Sequence, residues 1–70
     1  MKVKVGDFVV PKHQMGKVIG IDKQQVTIEW TDTHGIARKS FLTEEQAHLR
    51  GKTLDQHVDD SLVIVNEKTT

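Results

Sequence analysis

The 70-residue chain can bury one small hydrophobic core, and its length excludes a second domain of ordinary size. It has no cysteine, which excludes disulfides, thiolate nucleophiles and cysteine-based metal sites. Ten Lys and Arg residues balance ten Asp and Glu residues, so the chain lacks the strongly basic charge of a dedicated nucleic-acid-binding protein.

The amino-terminal residues alternate charge with valine at Val3 and Val5, unlike the continuous apolar stretch of a signal peptide. No apolar run in the chain exceeds four residues, so the sequence predicts no membrane-spanning segment. We therefore expect a cytoplasmic protein without membrane contact.

Short apolar runs separated by turn residues predict an all-β meander in the first part of the chain. Phe8-Val9-Val10 is a compact strand, and Pro11 ends it because proline has no amide hydrogen for a sheet ladder. A loop from Lys12 to Met15 follows. The next strand covers 17–22, where Gly20 indicates a bulge or a sharp bend.

The third strand has the clearest pattern in the chain. Val26, Ile28 and Trp30 alternate with polar residues, which predicts that these three side chains point together into a core on one face of a sheet. Turn-forming residues precede this strand at 22–25 and follow it at 31–35.

A fourth strand is expected over 36–42, and a short helix follows it. Thr43-Glu44-Glu45-Gln46 matches a capping box, in which the Thr and Gln side chains bond each other's backbone amides. The helix is predicted to run to Arg50, because Gly51 can adopt the left-handed conformation that stops a helix. After an acidic stretch without a clear period, 62–65 is the closing strand.

Five short strands, with one short helix before the last, fit a small five-stranded SH3-like barrel better than a β-sandwich, which needs more strands. We predict one such mainly β domain over residues 1–66 and a disordered tail over 67–70. Because so small a chain has little core, association into a homo-oligomer is an open alternative.

The opening of the chain resembles the KOW-type barrels of transcription elongation factors and ribosomal proteins. The residues that carry this resemblance are Val5 to Val10, Gly16 to Asp22 and Val26 to Ile28. Tudor-like and CarD-like polymerase-binding domains have a similar opening. The resemblance covers about a third of the chain. It implies an SH3-like barrel that binds RNA, DNA-bound polymerase or ribosomal components.

A second resemblance rests on the spacing W-x4-G-x2-R-x2-F, which Trp30, Gly35, Arg38 and Phe41 provide. This spacing is similar to that of small YodC-like bacterial proteins, which have no assigned activity. It implies the same barrel fold and adds no chemistry. The closing strand and the acidic segment before it extend beyond the YodC-like pattern.

Basic side chains form the candidate binding surface. Residues 1–42 contain seven Lys and Arg and four Asp and Glu, whereas residues 43–70 contain three Lys and Arg and six Asp and Glu. Such side chains contact phosphates without reading a base sequence. The alternative is a scatter of solubilising charges. We expect the residues that bind nucleic acid or an acidic partner to be Lys12, His13, Lys17, Lys23, Arg38 and Lys39.

The sequence predicts no catalytic set, no metal site and no cofactor. The histidines have none of the spacings that common metal motifs use, so we expect solvent-exposed loop histidines. They are His13, His34, His48 and His57. Ser40 and Ser61 lack the sharp Gly-x-Ser-x-Gly turn of a nucleophilic serine.

The three aromatic residues are assigned to the core, since a small core depends on its few large side chains. They are Phe8, Trp30 and Phe41. This assignment leaves neither an aromatic cage for methyl-lysine nor an aromatic surface for base stacking.

We expect a non-enzymatic binding module that docks a protein or ribonucleoprotein partner, with a link to transcription or translation. An exposed sheet edge would accept a partner strand, and the acidic segment from Asp55 to Asp60 would provide charge complementarity. One alternative is weak, sequence-independent nucleic-acid binding through the basic face. Another is an oligomeric barrel enzyme with a central pore, of the kind formed by type II dihydrofolate reductases, which this chain resembles only in size and barrel class.

Overall fold

In a computed structural model, which describes residues 1–10 and 15–65, the chain forms five strands in one sheet and two short helices. The elements in chain order are β1 (Phe8–Val10), β2 (Gly16–Ile21), β3 (Gln25–Thr31), β4 (Ala37–Thr43), α1 (Glu44–Leu49), α2 (Leu54–Ser61) and β5 (Val63–Val65). Most of the predicted loop after Pro11 and the predicted tail at 67–70 lie outside the described residues. Within the described ranges, no helix is long and apolar enough to cross a bilayer.

The sheet has the strand order β4-β3-β2-β1-β5, and all neighbouring strands are antiparallel. The first four strands form a meander, and the last strand returns to pair with the first, so that Val9 lies opposite Ile64. β4 and β5 are the two edges of the sheet, and no ladder joins them in the part of the chain that the structure describes. The mainly β, five-stranded prediction is confirmed, whereas the sheet is not closed into a barrel.

The irregularity that Gly20 predicts in β2 is present as a shift of register against β3. Val18 lies opposite Ile28, but Gly20 already lies opposite Thr27, so the intervening Ile19 is an extra residue in this ladder. A bulge of this kind bends its strand and increases the local twist. The bend helps a short sheet to curve around a small core.

One face of the sheet carries the core, and we call it the inner face. Val26 and Ile28 are at most 1% exposed, as their alternation with polar residues predicts. Helix α2 packs on this face, and burial of each aliphatic side chain there contributes about 1.5–3 kcal/mol. The other core residues come from the amino-terminal segment, the neighbouring strands, α2 and the residue after it: Val3, Val9, Val18, Leu54, Val58 and Leu62.

The prediction of a single helix before the last strand is wrong, because the structure has two. α1 begins as predicted, with reciprocal hydrogen bonds between Thr43 and Gln46, and Gly51 follows it in the left-handed region at φ +70°. α2 begins with a second capping box, formed in the same way by Thr53 and Gln56. The same T-x-x-Q pattern therefore precedes both helices, but the acidic composition of α2 obscures the helical spacing of its few apolar residues.

The assignment of all three aromatic side chains to the core is wrong for two of them. Phe8 is 39% exposed and Phe41 is 46% exposed. Phe8 precedes the buried Val9, and successive residues of a strand point to opposite faces. Trp30 lies on the inner-face side and is half-buried, and its Nε1 donates a hydrogen bond to the Ser40 hydroxyl at 2.9 Å.

Replacement of Gly16 by alanine tests the packing of the inner face. A Cβ atom at position 16 would lie 2.6 Å from Cγ2 of Ile28 and 3.2 Å from the Glu29 carbonyl oxygen, so the buried isoleucine would have to move. We expect Gly16→Ala to lower the free energy of unfolding by about 1–3 kcal/mol, measured by urea denaturation. Gly20→Ala is the matched control, because its Cβ would meet Thr27 at an ordinary distance of 3.8 Å. Equal stability of the two variants would contradict this account.

Candidate functional site

The face of the sheet opposite the core, which we call the outer face, carries a row of residues in register across the strands. Phe8 lies opposite Val65 on one side and opposite Lys17 on the other. Lys17 in turn lies opposite Glu29, and Glu29 lies opposite Lys39. Directly opposed residues share a face of the sheet. Two of the predicted binding lysines therefore lie in one row with an exposed phenylalanine.

Phe8 and Lys17 form a close aromatic–cation pair within this row. The Nζ atom of Lys17 lies 5.7 Å from the centroid of the Phe8 ring. This distance is within the range of a cation–π interaction, which contributes about 0.5–1 kcal/mol at an exposed site. The pair places a positive charge directly beside an aromatic surface that remains open to solvent.

Phe41 provides a second exposed aromatic group on the outer face. It lies opposite Thr27 and two residues after Lys39 on β4, so it shares that lysine's face. Three strand spacings separate β1 from β4, and Phe41 lies two residues along β4 from the row that contains Phe8, so the two residues are on the order of 16 Å apart. We call Phe8, Lys17, Lys39 and Phe41 the outer-face set.

The other predicted binding residues do not join the outer-face set. Lys23 is exposed in the turn between β2 and β3, at one end of the sheet. Arg38 lies opposite Trp30, which places it on the inner-face side of β4. Lys12 and His13 lie outside the described residues. The structure thus brings Lys17 and Lys39 to one face, and the binding role of the six residues stays a prediction.

Arg38 has a structural partner in the turn between β3 and β4. Its Nε donates to the Asp32 carboxylate at 2.7 Å, and the same carboxylate accepts the backbone N–H groups of His34 at 2.8 Å and Ile36 at 3.0 Å. These contacts hold the pKa of Asp32 below its ordinary value of 3.8, first through the Ile36 amide and then through Arg38. Arg38 therefore helps to order the turn that joins the two longest strands.

A groove of about 310 Å³ lies beside the edge strand β5. The residues that line it are Lys2, Val3, Asp59, Leu62, Val63 and Ile64. Val63 is 67% exposed, and Asp59 accepts the backbone N–H of Lys2 at 3.1 Å. The predicted acidic segment lies on α2, immediately before this edge.

The expectation of solvent-exposed loop histidines holds for His34, while His48 is exposed on α1 and His13 lies outside the described residues. It is wrong for His57, which lies on α2 and is only 3% exposed. In residues 1–10 and 15–65, no three His, Asp or Glu side chains are grouped to hold a metal ion. The Ser40 hydroxyl accepts the Trp30 indole hydrogen bond and packs within the sheet.

No protein-family model, curated protein or solved structure matches this chain. The outer face is therefore interpreted from its own residues. The sequence pattern identified its lysines but not its phenylalanines. Phe8 begins the continuous apolar run Phe8-Val9-Val10, so no local pattern in the sequence shows that its side chain lies on the outer face.

Replacement of Asp32 by asparagine tests the turn that holds Arg38. We expect Asp32→Asn to destabilise the protein at pH 6, because the charged acceptor of Arg38 is lost. A carboxyl group whose pKa is lowered by folding stabilises the protein above its ordinary pKa of 3.8, and this contribution is lost as the pH falls through the lowered value. Urea denaturation should therefore show the difference between the two proteins shrinking from pH 6 to pH 3. A difference that stays constant with pH would contradict the role of the carboxylate.

Proposed function

We propose that the protein is a non-enzymatic binding module that docks a protein or ribonucleoprotein partner on the outer face of its sheet. The observation that carries this proposal is the exposure of Phe8 and Phe41 beside two lysines. Aromatic side chains are enriched at protein interfaces, where burial of their apolar area favours association. Two phenylalanines on one open sheet face provide apolar area that a partner can cover.

The charges favour a partner with a net negative surface. Lys17 and Lys39 outnumber Glu29 in the row across the outer face. Acidic residues, in contrast, concentrate on the two helices. Opposite charges on two sides of a small molecule steer a charged partner toward one of them. An acidic partner would therefore approach the outer face rather than the helices.

We infer in addition that the curved sheet belongs to the SH3-like barrel class, as in KOW-type and YodC-like proteins. The return of β5 to pair with β1 supports this inference, and so does the bulge at Ile19. In such a barrel the inner face encloses the core and the outer face stays available for binding.

Site-specific photocrosslinking tests the docking surface. A photoreactive phenylalanine analogue placed at Phe41 should crosslink to the partner in a lysate of the cells that make the protein, because this ring lies on the proposed interface. Leu49 is the matched control position, since it is 83% exposed but lies on α1. We expect a crosslinked adduct with the partner when the analogue is at position 41, and no such adduct when it is at position 49.

The adduct then supplies a purified partner for a direct measurement. Lys39→Glu and Phe41→Ser should each weaken its binding by at least about tenfold, the effect of losing roughly 1.4 kcal/mol at an interface centre. Equal crosslinking from both positions, or unchanged affinity in both variants, would contradict docking on the outer face.

Weak nucleic-acid binding on the same face is a second candidate function. The observation that favours it is the Lys17 ammonium group 5.7 Å from the Phe8 ring centroid, because bases stack on aromatic rings and lysines contact phosphates. A fluorescently labelled 20-nucleotide single strand should bind at 20 mM salt and dissociate as salt increases. Lys17→Glu combined with Lys39→Glu should abolish this binding, whereas Lys23→Glu, in the distant turn, should retain most of it. Equal losses in the double and the single variant, or no binding by the unchanged protein, would exclude this candidate.

A further inference from the structure

His57 is the one polar or charged side chain that is buried among the described residues. It lies on the same face of α2 as Leu54 and Val58, which belong to the core. Its Nε2 lies 3.4 Å from Oε1 of Gln46 on α1. The same oxygen accepts the backbone N–H of Thr43 at 3.1 Å, in the capping box that begins α1. One side-chain contact thus connects the buried face of α2 to the start of α1.

This contact fixes which tautomer the neutral ring adopts. The Gln46 oxygen accepts and does not donate, so the neutral imidazole fits with its hydrogen on Nε2. A second proton would then enter at Nδ1 and give the buried ring a full positive charge. Burial of a charge is costly unless an opposite charge pairs with it.

In residues 1–10 and 15–65, the one carboxylate that raises the pKa of His57 is that of Asp60, and it already has a cation partner. Burial lowers the pKa of His57, and the cations Arg50 and Lys52 lower it further, whereas Asp60 raises it. The Asp60 carboxylate already accepts Lys52 Nζ at 2.6 Å, and Lys2 also faces it.

Helices α1 and α2 both contact β4, and the two cations of β4 are engaged elsewhere. Arg38 is paired with Asp32 in the turn, and Lys39 points to the outer face. A protonated His57 would therefore add a positive charge beside Arg50 and Lys52, where the Asp60 carboxylate is already paired.

We propose that His57 makes the packing of α1 against α2 proton-sensitive, so that protonation of its buried ring on acidification weakens the helix pair and the core beneath it. The effect reaches the core because α2 supplies Leu54 and Val58 to the inner face. This inference does not depend on which partner the outer face binds.

The direction of the effect follows from proton linkage. The pKa of His57 is lower in the folded chain than its ordinary value of 6.5, so the unfolded chain binds more protons below that pH. The contribution of neutral His57 to stability is complete above pH 6.5 and declines as the pH falls toward the lowered pKa.

Urea unfolding of the unchanged protein, His57→Gln and His48→Gln at pH 7.5 and pH 5.0 tests the proposal. On acidification, the unfolding equilibrium constant of the unchanged protein should increase several-fold more than that of His57→Gln. If the folded protein binds no proton at His57 at pH 5.0, which is 1.5 units below the ordinary pKa of 6.5, this extra increase reaches its upper limit of about thirtyfold. His48→Gln removes an exposed histidine of α1 and keeps His57, so it should respond like the unchanged protein.

An NMR titration of the His57 ring in the unchanged protein gives a second measurement that does not require the variant to fold. The midpoint should lie below 6.5, and acidification through it should reduce the hydrogen-exchange protection of amides in α1 and α2. A midpoint at or above 6.5, or an equal acid response of the unchanged protein and His57→Gln, would overturn the proposal.

Discussion

Val26 and Ile28 of β3 belong to one buried cluster with Val58 of α2 on the inner face, and the rest of the structure depends on this cluster. A two-sided sheet of five short strands has too little buried area to offset the entropy lost on folding. Helix α2 supplies the missing layer. With α2 in place, the inner face of the sheet is shielded from water. The outer face is not needed for the core and stays exposed.

The sequence predicts best where local chemistry admits one answer. The alternation at β3 identifies its buried face, and the capping box at 43–46 identifies where α1 begins. The two phenylalanines show why other assignments fail. Phe8 stands in a run of three apolar residues, and Phe41 precedes the apolar Leu42, so neither run reveals which member faces the core. Only the pairing with neighbouring strands decides the face, and this information is not local.

The candidate site follows the same logic. Arg38 and Lys39 are adjacent, so the sequence alone predicts that they belong to one basic cluster. In a strand they point to opposite faces, so Arg38 pairs with Asp32 while Lys39 lies beside Phe41 on the outer face. Lys17 joins Lys39 from β2 through registers that the sequence does not show. Because side chains alternate between the two faces of a strand, Arg38 and Lys39 are separated. Strand pairing then brings Lys39 and Lys17 together with Phe8 and Phe41 on the outer face.

The pairing of β1 with both β2 and β5 affects how the chain folds while it is being synthesised. β2, β3 and β4 form two consecutive hairpins, so they pair over short sequence separations as they emerge from the ribosome. β1 has to wait for its second neighbour until the last of these elements has been made, and α2, which closes the core, emerges only just before it. During that interval β1 offers an open apolar edge to other nascent chains. The order of elements thus makes the late steps of translation the period of greatest exposure to misassociation.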